Sequence, residues 1–304
     1  MNLHGIAGDS MDDTFAFIIH PIQIKKDVAR KFPLLGKMLT EGQINYLSRY
    51  FPPIYISHVE GVRSQDTQNE LTGWLLACPY TPPTMLSLPV EMVYKKIVAV
   101  GKKAEKLGAK MLGLGAFTSV VGDGGITIAQ RLDIPVTTGD SYTIVIAVEA
   151  LEAAAQQMGF MMSDAVVAVV GATGAIGKTC SELLARRCAH LKLIGRRMDA
   201  LEALREKCEG FGANVSISTR IEHIYDADLV LAVTSAVHEV IEPRHLKPGA
   251  VVCDVARPRD VSRLVADQRN DVLVIEGGMV EVPGDVNFHF DFGFPEGKAY
   301  ACMA

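Results

Sequence analysis

Residues 166–197 read VVAVVGATGAIGKTCSELLARRCAHLKLIGRR, and this stretch decides the fold. A short run of β-branched apolar residues is followed at once by a glycine-rich turn, then by a helical pattern and a second apolar run at 191–194. A strand, a glycine turn, a helix and a strand within about thirty residues form the context that a dinucleotide-binding fingerprint requires. The stretch therefore predicts a βαβ unit of a Rossmann-type sheet.

The three glycines of this turn have separate expected roles. Gly171 permits the tight turn off the strand, because glycine adopts positive φ values without steric cost. Gly174 lets the backbone approach a pyrophosphate, and Gly177 lets the helix pack close to the sheet. The N–H groups at the helix N-terminus then face the phosphates. The alternative is a glycine-rich turn that binds nothing. The residues predicted to hold the dinucleotide here are Gly171, Thr173, Gly174, Ala175, Ile176 and Gly177.

The end of the second strand indicates which dinucleotide to expect. NAD sites usually carry Asp or Glu at this place, where the carboxylate holds the ribose 2′-hydroxyl. Here the sequence reads Gly195-Arg196-Arg197, and no carboxylate follows until Asp199. Two guanidinium groups suit a 2′-phosphate through their charge and bidentate geometry. We therefore predict NADP(H) as the cofactor; the alternative is that one or both arginines simply face solvent.

Composition excludes several classes of protein. A length of 304 residues suggests two domains, and a hydrophobic fraction of 49% is ample for two cores. A net charge of −5 argues against nucleic acid as a partner. The acidic N-terminus does not resemble a secretory signal, and no apolar stretch reaches membrane-spanning length. Six cysteines are scattered without zinc-site spacing, so we expect free thiols, no metal and a cytoplasmic location.

The second half of the chain continues the pattern of alternating elements. Strand candidates follow at 214–218, 229–233, 251–255 and 272–275. Strands that alternate with helical or loop crossovers predict a doubly wound parallel sheet. Thr234 and Ser235 follow the strand at 229–233, at the carboxyl end where ligands bind in such sheets. Both are added to the predicted cofactor site.

The first half predicts a smaller α/β domain. Strand candidates lie at 15–19, 54–59, 71–77 and 112–119, and helical patterns lie at 91–107 and 141–158. We predict that residues 1–158 form a substrate or catalytic domain and residues 159–290 the NADP-binding Rossmann domain. Residues 291–304 form a C-terminal segment.

Several polar residues are candidates for chemistry. Cys302 becomes nucleophilic if its pKa is lowered. The positive charge of Lys298 and the dipole of a helix starting near Gly297 would both lower it. The alternative is a cysteine packed under a C-terminal helix. Thr118 and Ser119 stand beside glycines at a strand end and suit either polarisation of a carbonyl or ordinary turn chemistry.

The remaining polar candidates are expected to be structural. Thr138, Asp140 and Ser141 are predicted to cap the following helix. Four histidines are also expected to be structural, namely His20, His58, His238 and His289. The last of these is the best acid–base candidate, because it is nearest in sequence to Cys302.

Four local sequences occur in a selective order. They are LGAFTSV at 114–120, TTG at 137–139, EGGMVE at 276–281 and ACMA at 301–304, with the glycine-rich turn between the second and third. Over roughly residues 70–304 this order resembles the long-chain acyl-[acyl-carrier-protein] reductases of cyanobacteria. It also resembles their bacterial relatives, which are described as predicted amino-acid dehydrogenases.

The resemblance implies a function and a nucleophile. In that family the cysteine of the last motif takes the acyl group from a carrier thioester, and NADPH hydride releases the aldehyde. The matching residue is Cys302, with donors at 117–119 holding the oxyanion. The resemblance thus implies an NADPH-dependent reductase of an acyl thioester, carried by acyl-carrier protein or coenzyme A. Two alternatives stay open: an NAD(P)-dependent small-molecule dehydrogenase without a covalent step, and a non-catalytic NADP(H) sensor.

Overall fold

A computed structural model describes residues 13–115 and 117–304, which form a five-stranded sheet, a six-stranded sheet and a two-stranded ribbon, with helices beside the two large sheets. The predicted α/β class is therefore confirmed. The expectation that no secretory signal is present rests mainly on residues 1–12, which lie outside the described residues, as does Ala116. Throughout the described ranges, no helix combines the length and apolar character that a membrane crossing requires.

The first sheet has five strands in the order β2-β3-β1-β4-β5. The strands are β1 (Asp13–Ile19), β2 (Ile54–Arg63), β3 (Glu70–Ala77), β4 (Met111–Leu114) and β5 (Val136–Thr137). Strands β1, β3, β4 and β5 run parallel, whereas β2 pairs antiparallel with β3 at the sheet edge. Four of the strands predicted from sequence are confirmed, although β4 ends at Leu114 and a short helix replaces its predicted continuation.

The helices of this half follow local sequence rules. They are α1 (Ile24–Lys31), α2 (Pro33–Met38), α3 (Glu41–Ser48), α4 (Pro82–Ser87), α5 (Val90–Leu107), α6 (Phe117–Val120), α7 (Ile126–Gln130) and α8 (Asp140–Gln157). Pro33 separates α1 from α2, because proline removes the backbone donor and favours a first helical position. Helix α5 buries the predicted apolar face, which includes Val93 and Ile97, and ends at Gly108 with φ +92°.

The second sheet has six parallel strands in the order β11-β10-β9-β6-β7-β8. The strands are β6 (Val166–Val170), β7 (His190–Ile194), β8 (Asn214–Ser218), β9 (Leu229–Ala232), β10 (Val251–Asp254) and β11 (Leu273–Glu276). The direction of winding reverses between β6 and β9, which is the Rossmann strand order. The doubly wound prediction is confirmed.

Both faces of this sheet are covered. Helices α8, α9 (Ala175–Leu184) and α10 (Met198–Glu209) supply buried side chains to one face, where Leu151 and Leu184 are fully buried. Helix α11 (Arg263–Gln268) and two 3₁₀ turns cover the other face. Helix α8, which precedes the nucleotide domain in sequence, therefore packs into the core of the nucleotide sheet.

The last part of the chain returns from the second sheet to the first. Strand β12 (Met279–Glu281) pairs antiparallel with β13 (Lys298–Tyr300). Residues 283–297 lie between them and are called here the phenylalanine segment, since phenylalanine occupies positions 288, 290, 292 and 294. Three of these rings pack against an apolar cluster of the first sheet that includes Phe17 and Leu75. The C-terminal residues thus join the two sheets.

Candidate functional site

The candidate site is built from loops that follow the carboxyl ends of parallel strands. In the second sheet these loops begin at Gly171 after β6, Gly195 after β7 and Thr234 near the end of β9. In the first sheet they begin at Gly115 after β4 and Thr138 after β5. Ligands bind at this edge of α/β sheets, because the loops diverge there and leave a crevice.

The glycine-rich turn has the shape that its sequence predicts. Gly171 has φ +87°, and a Cβ built on it would lie 2.9 Å from the carbonyl oxygen of Val233. A Cβ on Gly177 would lie 2.2 Å from the carbonyl oxygen of Gly171, so only glycine allows α9 to approach the turn. A Cβ on Gly174 would have one neighbour within 4 Å, the same oxygen at 3.3 Å. The space before Gly174 is therefore open to a ligand.

The N-terminus of α9 faces this space. Gly174 is the N-cap and has no side chain, so the N–H groups of Ala175, Ile176 and Gly177 have no N-cap side chain to which they could donate. Such groups, together with the helix dipole, favour a phosphate. The turn therefore fits a dinucleotide pyrophosphate.

The two arginines stand beside the turn. Arg196 and Arg197 are exposed, and within residues 13–115 and 117–304 neither forms an ion pair with a carboxylate. A Cβ on Gly195 would lie 3.3 Å from Oγ1 of Thr173, which places the arginines next to the glycine-rich turn. Two exposed guanidinium groups next to a phosphate cradle suit a further phosphate.

Thr234 and Ser235 differ in their surroundings. The N–H and hydroxyl of Thr234 donate to the carboxylate of Asp260, at 2.8 and 2.5 Å. Asp260 is fully buried, and this burial raises its pKa to about 6. Ser235 is exposed beside this pair. The bonds from Thr234 to Asp260 therefore anchor the loop after β9. Sequence analysis did not predict Asp260 as a partner of Thr234, because the two residues are 26 positions apart.

In the loop after β4, the N–H groups of Phe117 and Thr118 and the Thr118 hydroxyl, which could hold an oxyanion, are bonded to other groups of the protein. The hydroxyl and N–H of Thr118 both donate to the carbonyl oxygen of Gly115, at 2.7 and 3.0 Å, and Thr118 is fully buried. The N–H of Phe117 donates to Nε2 of His20 at 3.0 Å. The expectation that Thr118 polarises a carbonyl is not met in this arrangement, because its proton is already bonded. Ser119 is half-buried on the same turn.

His20 holds this loop to the end of β1. Its Nδ1 lies 3.2 Å from the carbonyl oxygen of Pro21, and its Nε2 accepts the Phe117 N–H, which assigns the proton to Nδ1. Burial lowers the pKa of His20 to about 4. The imidazole is therefore neutral at pH 7, and its expected structural role agrees with this geometry.

Cys302 lies where the two sheets meet. The N–H of Ala301 donates to the carbonyl oxygen of Gly278, just after β11, at 2.7 Å. On the other side, a Cβ built on Gly139 would lie 2.6 Å from Cα of Cys302. The cysteine is half-buried and thus remains partly accessible. Three motifs that are far apart in sequence, TTG, EGGMVE and ACMA, meet at this residue.

The expected helix near Gly297 is wrong. Residues Lys298–Tyr300 form β13 because they pair with β12, so Lys298 is not one helical turn from Cys302. The helix N-terminus beside Cys302 is instead that of α8, whose N-cap is Gly139 at φ +71°. Gly139, and not one of the predicted residues Thr138, Asp140 and Ser141, occupies the N-cap position, although the hydroxyl of Thr138 accepts the N–H of Asp140 at 3.4 Å. Burial raises the pKa of Asp140.

The other five cysteines are buried thiols. Burial raises the pKa of Cys78, Cys180 and Cys253 to about 12. It raises the pKa of Cys188 and Cys208 to about 11. A thiol with such a pKa holds almost no thiolate at pH 7 and is inert.

A cationic cluster fixes the cysteine segment to the nucleotide sheet. The guanidinium of Arg257, after β10, pairs with Glu276 at the end of β11 and lies 4.6 Å from the ring centroid of Tyr300. Arg259 pairs with the same carboxylate at 3.0 Å. Sequence reasoning missed this cluster, although an Arg-x-Arg pattern after a strand of the ligand edge was a signal.

The phenylalanine segment supplies apolar surface near the cysteine. Cys302, Met303 and the rings of Phe288, Phe290 and Phe292 pack against the same apolar cluster of the first sheet. A groove of about 610 Å³ runs along residues 284–298. His289 points elsewhere: its ring engages Glu60 and stacks on His58.

The family model that matches this chain covers the second sheet and most of the helices packed on it. Residues 152–276 match the family model described as Shikimate / quinate 5-dehydrogenase.

The chain is 31% identical over 273 residues to Aminotransferase PigE of Serratia sp., an alignment that covers 88% of this chain and 32% of that protein. The chain thus spans about a third of the length of that relative.

Two further similarities extend over most of the chain. The chain is 27% identical over 252 residues to the long-chain acyl-[acyl-carrier-protein] reductase of Synechococcus elongatus, covering 78% of this chain and 72% of that protein. The crystal structure of L-tryptophan dehydrogenase from Nostoc punctiforme covers 88% of this chain and 70% of that chain at 15% identity and a TM-score of 0.41. The family match and the sequence alignment make the chain similar to a dehydrogenase family over residues 152–276 and to an acyl-[acyl-carrier-protein] reductase over most of its length.

Proposed function

We propose that this protein is an NADP(H)-dependent oxidoreductase that reduces an acyl thioester to an aldehyde, with Cys302 as the nucleophile. The position of Cys302 carries the proposal. On one side Cys302 contacts Gly139, in the loop after β5 of the first sheet. On the other side its neighbour Ala301 donates to the carbonyl oxygen of Gly278, in the loop after β11 of the second sheet. A nucleophile at this junction can meet a substrate held by one sheet and a cofactor held by the other.

The cofactor is assigned to the glycine-rich turn and the arginine pair. The pyrophosphate fits before Gly174, against the N-terminus of α9, and the 2′-phosphate fits Arg196 and Arg197. Thr173 and Ser235 lie on neighbouring loops of the same edge and complete the cofactor site. NADPH bound there supplies a hydride.

The covalent step uses the thiolate of Cys302. The sulfur attacks the carbonyl carbon of the acyl thioester, the bond from that carbon to the carrier sulfur breaks, and the carrier leaves as a thiolate that takes a proton from water. After the carbonyl carbon gains a hydride, the bond to Sγ breaks and releases the aldehyde and the thiolate. The N-terminus of α8, an 18-residue helix capped by Gly139, stabilises this thiolate.

The acyl group is assigned to the apolar surface beside the cysteine. Its expected carrier is acyl-carrier protein or coenzyme A. The half-buried rings of Phe288, Phe290 and Phe292, which pack against the same apolar cluster as Cys302 and Met303, provide apolar contacts for a hydrocarbon chain. The similarity to the long-chain acyl-[acyl-carrier-protein] reductase over 78% of this chain supports the same substrate class.

A second candidate is an NAD(P)-dependent dehydrogenase of a small molecule, with no covalent step. The match of residues 152–276 to the Shikimate / quinate 5-dehydrogenase family favours it. This candidate requires no thiol, so it predicts turnover of a free acid or alcohol that is insensitive to the loss of Cys302.

The test is the intact mass of the protein after incubation with acyl-CoA or acyl-carrier-protein substrates of several chain lengths. Without NADPH, the wild-type protein should gain one acyl group on Cys302, and added NADPH should discharge it as aldehyde. Cys302→Ala should lose the adduct and the turnover and retain NADPH affinity. Cys188→Ala is the matched control, since it removes a buried thiol and should retain both.

Three outcomes separate the candidates. Full thioester turnover by Cys302→Ala would overturn the covalent mechanism. Turnover of a free acid or alcohol without an adduct would favour the small-molecule dehydrogenase. Binding of NADPH with neither an adduct nor any turnover would favour a non-catalytic sensor.

A further inference from the structure

The edge of the first sheet is extended by the phenylalanine segment. Glu60 on β2 and Asn287 form an antiparallel bridge, in which the N–H of each donates to the carbonyl oxygen of the other at 3.1 and 2.9 Å. The N–H of Arg63 also donates to the carbonyl oxygen of Pro283 at 2.9 Å. Glycine at position 61 permits this approach, because a Cβ there would lie 2.1 Å from the carbonyl oxygen of Asp285.

The register of this ribbon brings three metal-binding side chains onto one face. In an antiparallel pair, the residue two before Glu60 lies opposite the residue two after Asn287. These residues are His58 and His289. Side chains alternate along a strand, so His58 and Glu60 point to the same side. Val59 between them is buried in the sheet core, which confirms that alternation.

The side-chain contacts agree with the register. The imidazole rings of His58 and His289 stack with centroids 3.9 Å apart and an interplanar angle of 23°. Nε2 of His289 lies 2.6 Å from one carboxylate oxygen of Glu60, and Nε2 of His58 lies 3.6 Å from the other. One ligand atom from each residue lies within 4.8 Å of the others. Ligands about 2.1 Å from a tetrahedral zinc ion are separated by roughly 3.4 Å, so small rotations suffice.

The backbone of His289 is an independent sign of a constrained site. Its φ is +46°, in the left-handed region that side chains other than glycine seldom adopt. The side chain of Asn287 accepts the His289 N–H at 2.8 Å and holds this conformation. Residues held in such regions often occur at binding sites, where the surrounding structure offsets the strain. Here the strained backbone directs the ring onto Glu60.

We propose that His58, Glu60 and His289 bind one divalent cation of the zinc class, which fastens the phenylalanine segment to β2. Two imidazoles and one carboxylate are the donors that Zn²⁺ accepts, whereas Mg²⁺ and Ca²⁺ prefer sites made of oxygen. All three side chains are exposed, so water can occupy the remaining coordination position. Sequence spacing alone gave no indication of this site, since Glu60 and His289 are 229 positions apart.

Binding of the cation would add a side-chain link to the backbone hydrogen bonds and ring packing that already join the phenylalanine segment to the first sheet. The ligands come from β2 of the first sheet and from the segment that leads to Cys302 through β13. A bound ion therefore stabilises the position of the phenylalanine segment on the first sheet. This inference is independent of the proposed reaction, because it concerns cation affinity and the order of the segment.

The first test measures zinc binding to the full chain by calorimetry. The wild-type protein should bind one Zn²⁺ per chain, and His58→Gln, Glu60→Gln and His289→Gln should each weaken the affinity by roughly tenfold or more. His223→Gln and His190→Gln are matched controls, since both remove an exposed histidine elsewhere and should leave the affinity unchanged. The same titration of Cys302→Ala should also give the wild-type affinity.

Three results would overturn the site. They are unchanged zinc affinity in His58→Gln and His289→Gln, loss of binding in Cys302→Ala, and the absence of saturable binding to the wild-type protein.

The second test addresses the fastening role through cleavage by chymotrypsin, which cuts after phenylalanine. Zn²⁺ should slow cleavage within residues 283–297 of the wild-type protein and of His223→Gln, and Mg²⁺ should not. Zn²⁺ should have no effect on His289→Gln. Equal cleavage of the wild-type protein with and without Zn²⁺, despite stoichiometric binding, would overturn the fastening role.

Discussion

Gly139 lies directly against Cys302: a Cβ built on the glycine would fall 2.6 Å from Cα and from the carbonyl oxygen of the cysteine, and 2.9 Å from its Cβ. The contact places the N-terminus of α8 beside the thiol. It also means that no side chain can be added at position 139 unless the cysteine moves.

Gly139→Ala should therefore displace Cys302. The added methyl group meets backbone atoms, which cannot give way as a flexible side chain can. We expect the rate of Cys302 alkylation and the yield of acyl adduct to fall roughly tenfold or more, as such shifts commonly cost at reactive centres. Alkylation is followed by peptide mass spectrometry.

Gly159→Ala is the matched control for this variant. Gly159 also has a positive φ of +80°, but a Cβ there would have no neighbour within 4 Å. It should lose about 1 kcal/mol of stability from backbone strain and keep the reactivity of Cys302. Equal reactivity in both variants would show that the contact has no role in positioning the thiol.

Cys302 should be the sole thiol that reacts in the native protein at pH 7.5. Burial raises the pKa of the other five thiols to about 11 or 12, so their thiolate fraction is negligible. Iodoacetamide should add one group before denaturation and six after it. Native labelling of Cys188 or Cys208 would contradict this expectation.

Substitutions in the glycine-rich turn should separate binding from folding. Gly174→Val fills the open space before the turn, so it should abolish NADPH binding in a folded protein. Gly177→Ala places a methyl group 2.2 Å from the carbonyl oxygen of Gly171 and should cost about 1–3 kcal/mol of stability. Fluorescence titration and urea unfolding measure the two effects. Unchanged NADPH affinity in a folded Gly174→Val variant would refute the assignment of the cofactor site.

The arginine pair should set the cofactor preference. Each charge-assisted contact to a 2′-phosphate contributes about 1.5–3 kcal/mol. Arg196→Ala combined with Arg197→Ala should therefore weaken NADPH binding roughly tenfold or more and barely change NADH binding. The control combines Lys95→Ala with Lys106→Ala, which removes two exposed positive charges from α5. Equal losses for both cofactors would place the arginines in another role.

His20 should make the stability of the fold depend on pH. Burial lowers its pKa to about 4, whereas an unfolded histidine titrates near 6.5. The unfolded chain therefore binds the proton first, and the free energy of unfolding falls as the pH drops from about 6.5 to about 4. The loss attributable to His20 approaches 3 kcal/mol by pH 4, at about 1.4 kcal/mol per pKa unit.

The variant His20→Gln isolates this effect, because glutamine can still accept the Phe117 N–H but does not titrate. Urea unfolding of both proteins at pH 7 and pH 4.5 gives the comparison. Asp260 acts in the opposite direction, since burial raises its pKa to about 6, but it is present in both proteins and cancels. An identical pH dependence in the two proteins would exclude His20 as the source.

The nucleotide half was largely predictable because its signals are local. The strand, turn and helix at 166–184 depend on β-branched residues and on glycines whose backbone or packing requirements exclude other side chains. Arg196 and Arg197 follow a predicted strand. The order of strands and helices was therefore enough to predict that both arginines lie at the carboxyl edge of the sheet. The right-handedness of parallel crossovers limits the strand orders that are possible.

The surroundings of the candidate site were not predictable in the same way. The residues that precede Cys302 form a strand rather than a helix because Lys298–Tyr300 pairs with Met279–Glu281, and local sequence does not encode a partner. Thr118 looked available for chemistry, but the tertiary structure buries it and bonds its hydroxyl to Gly115.

By itself, the sequence determined the α/β class, the position of the glycine-rich turn and the arginine pair that follows the next strand. Tertiary structure alone decided that Gly139 meets Cys302 and that His58 meets His289. The physical reason is the sequence separation over which each kind of interaction acts. Backbone sterics and side-chain periodicity act over a few residues, so they can be read from a short stretch. Contacts between distant segments depend on strand register and on the packing of both sheets, which the whole chain sets together.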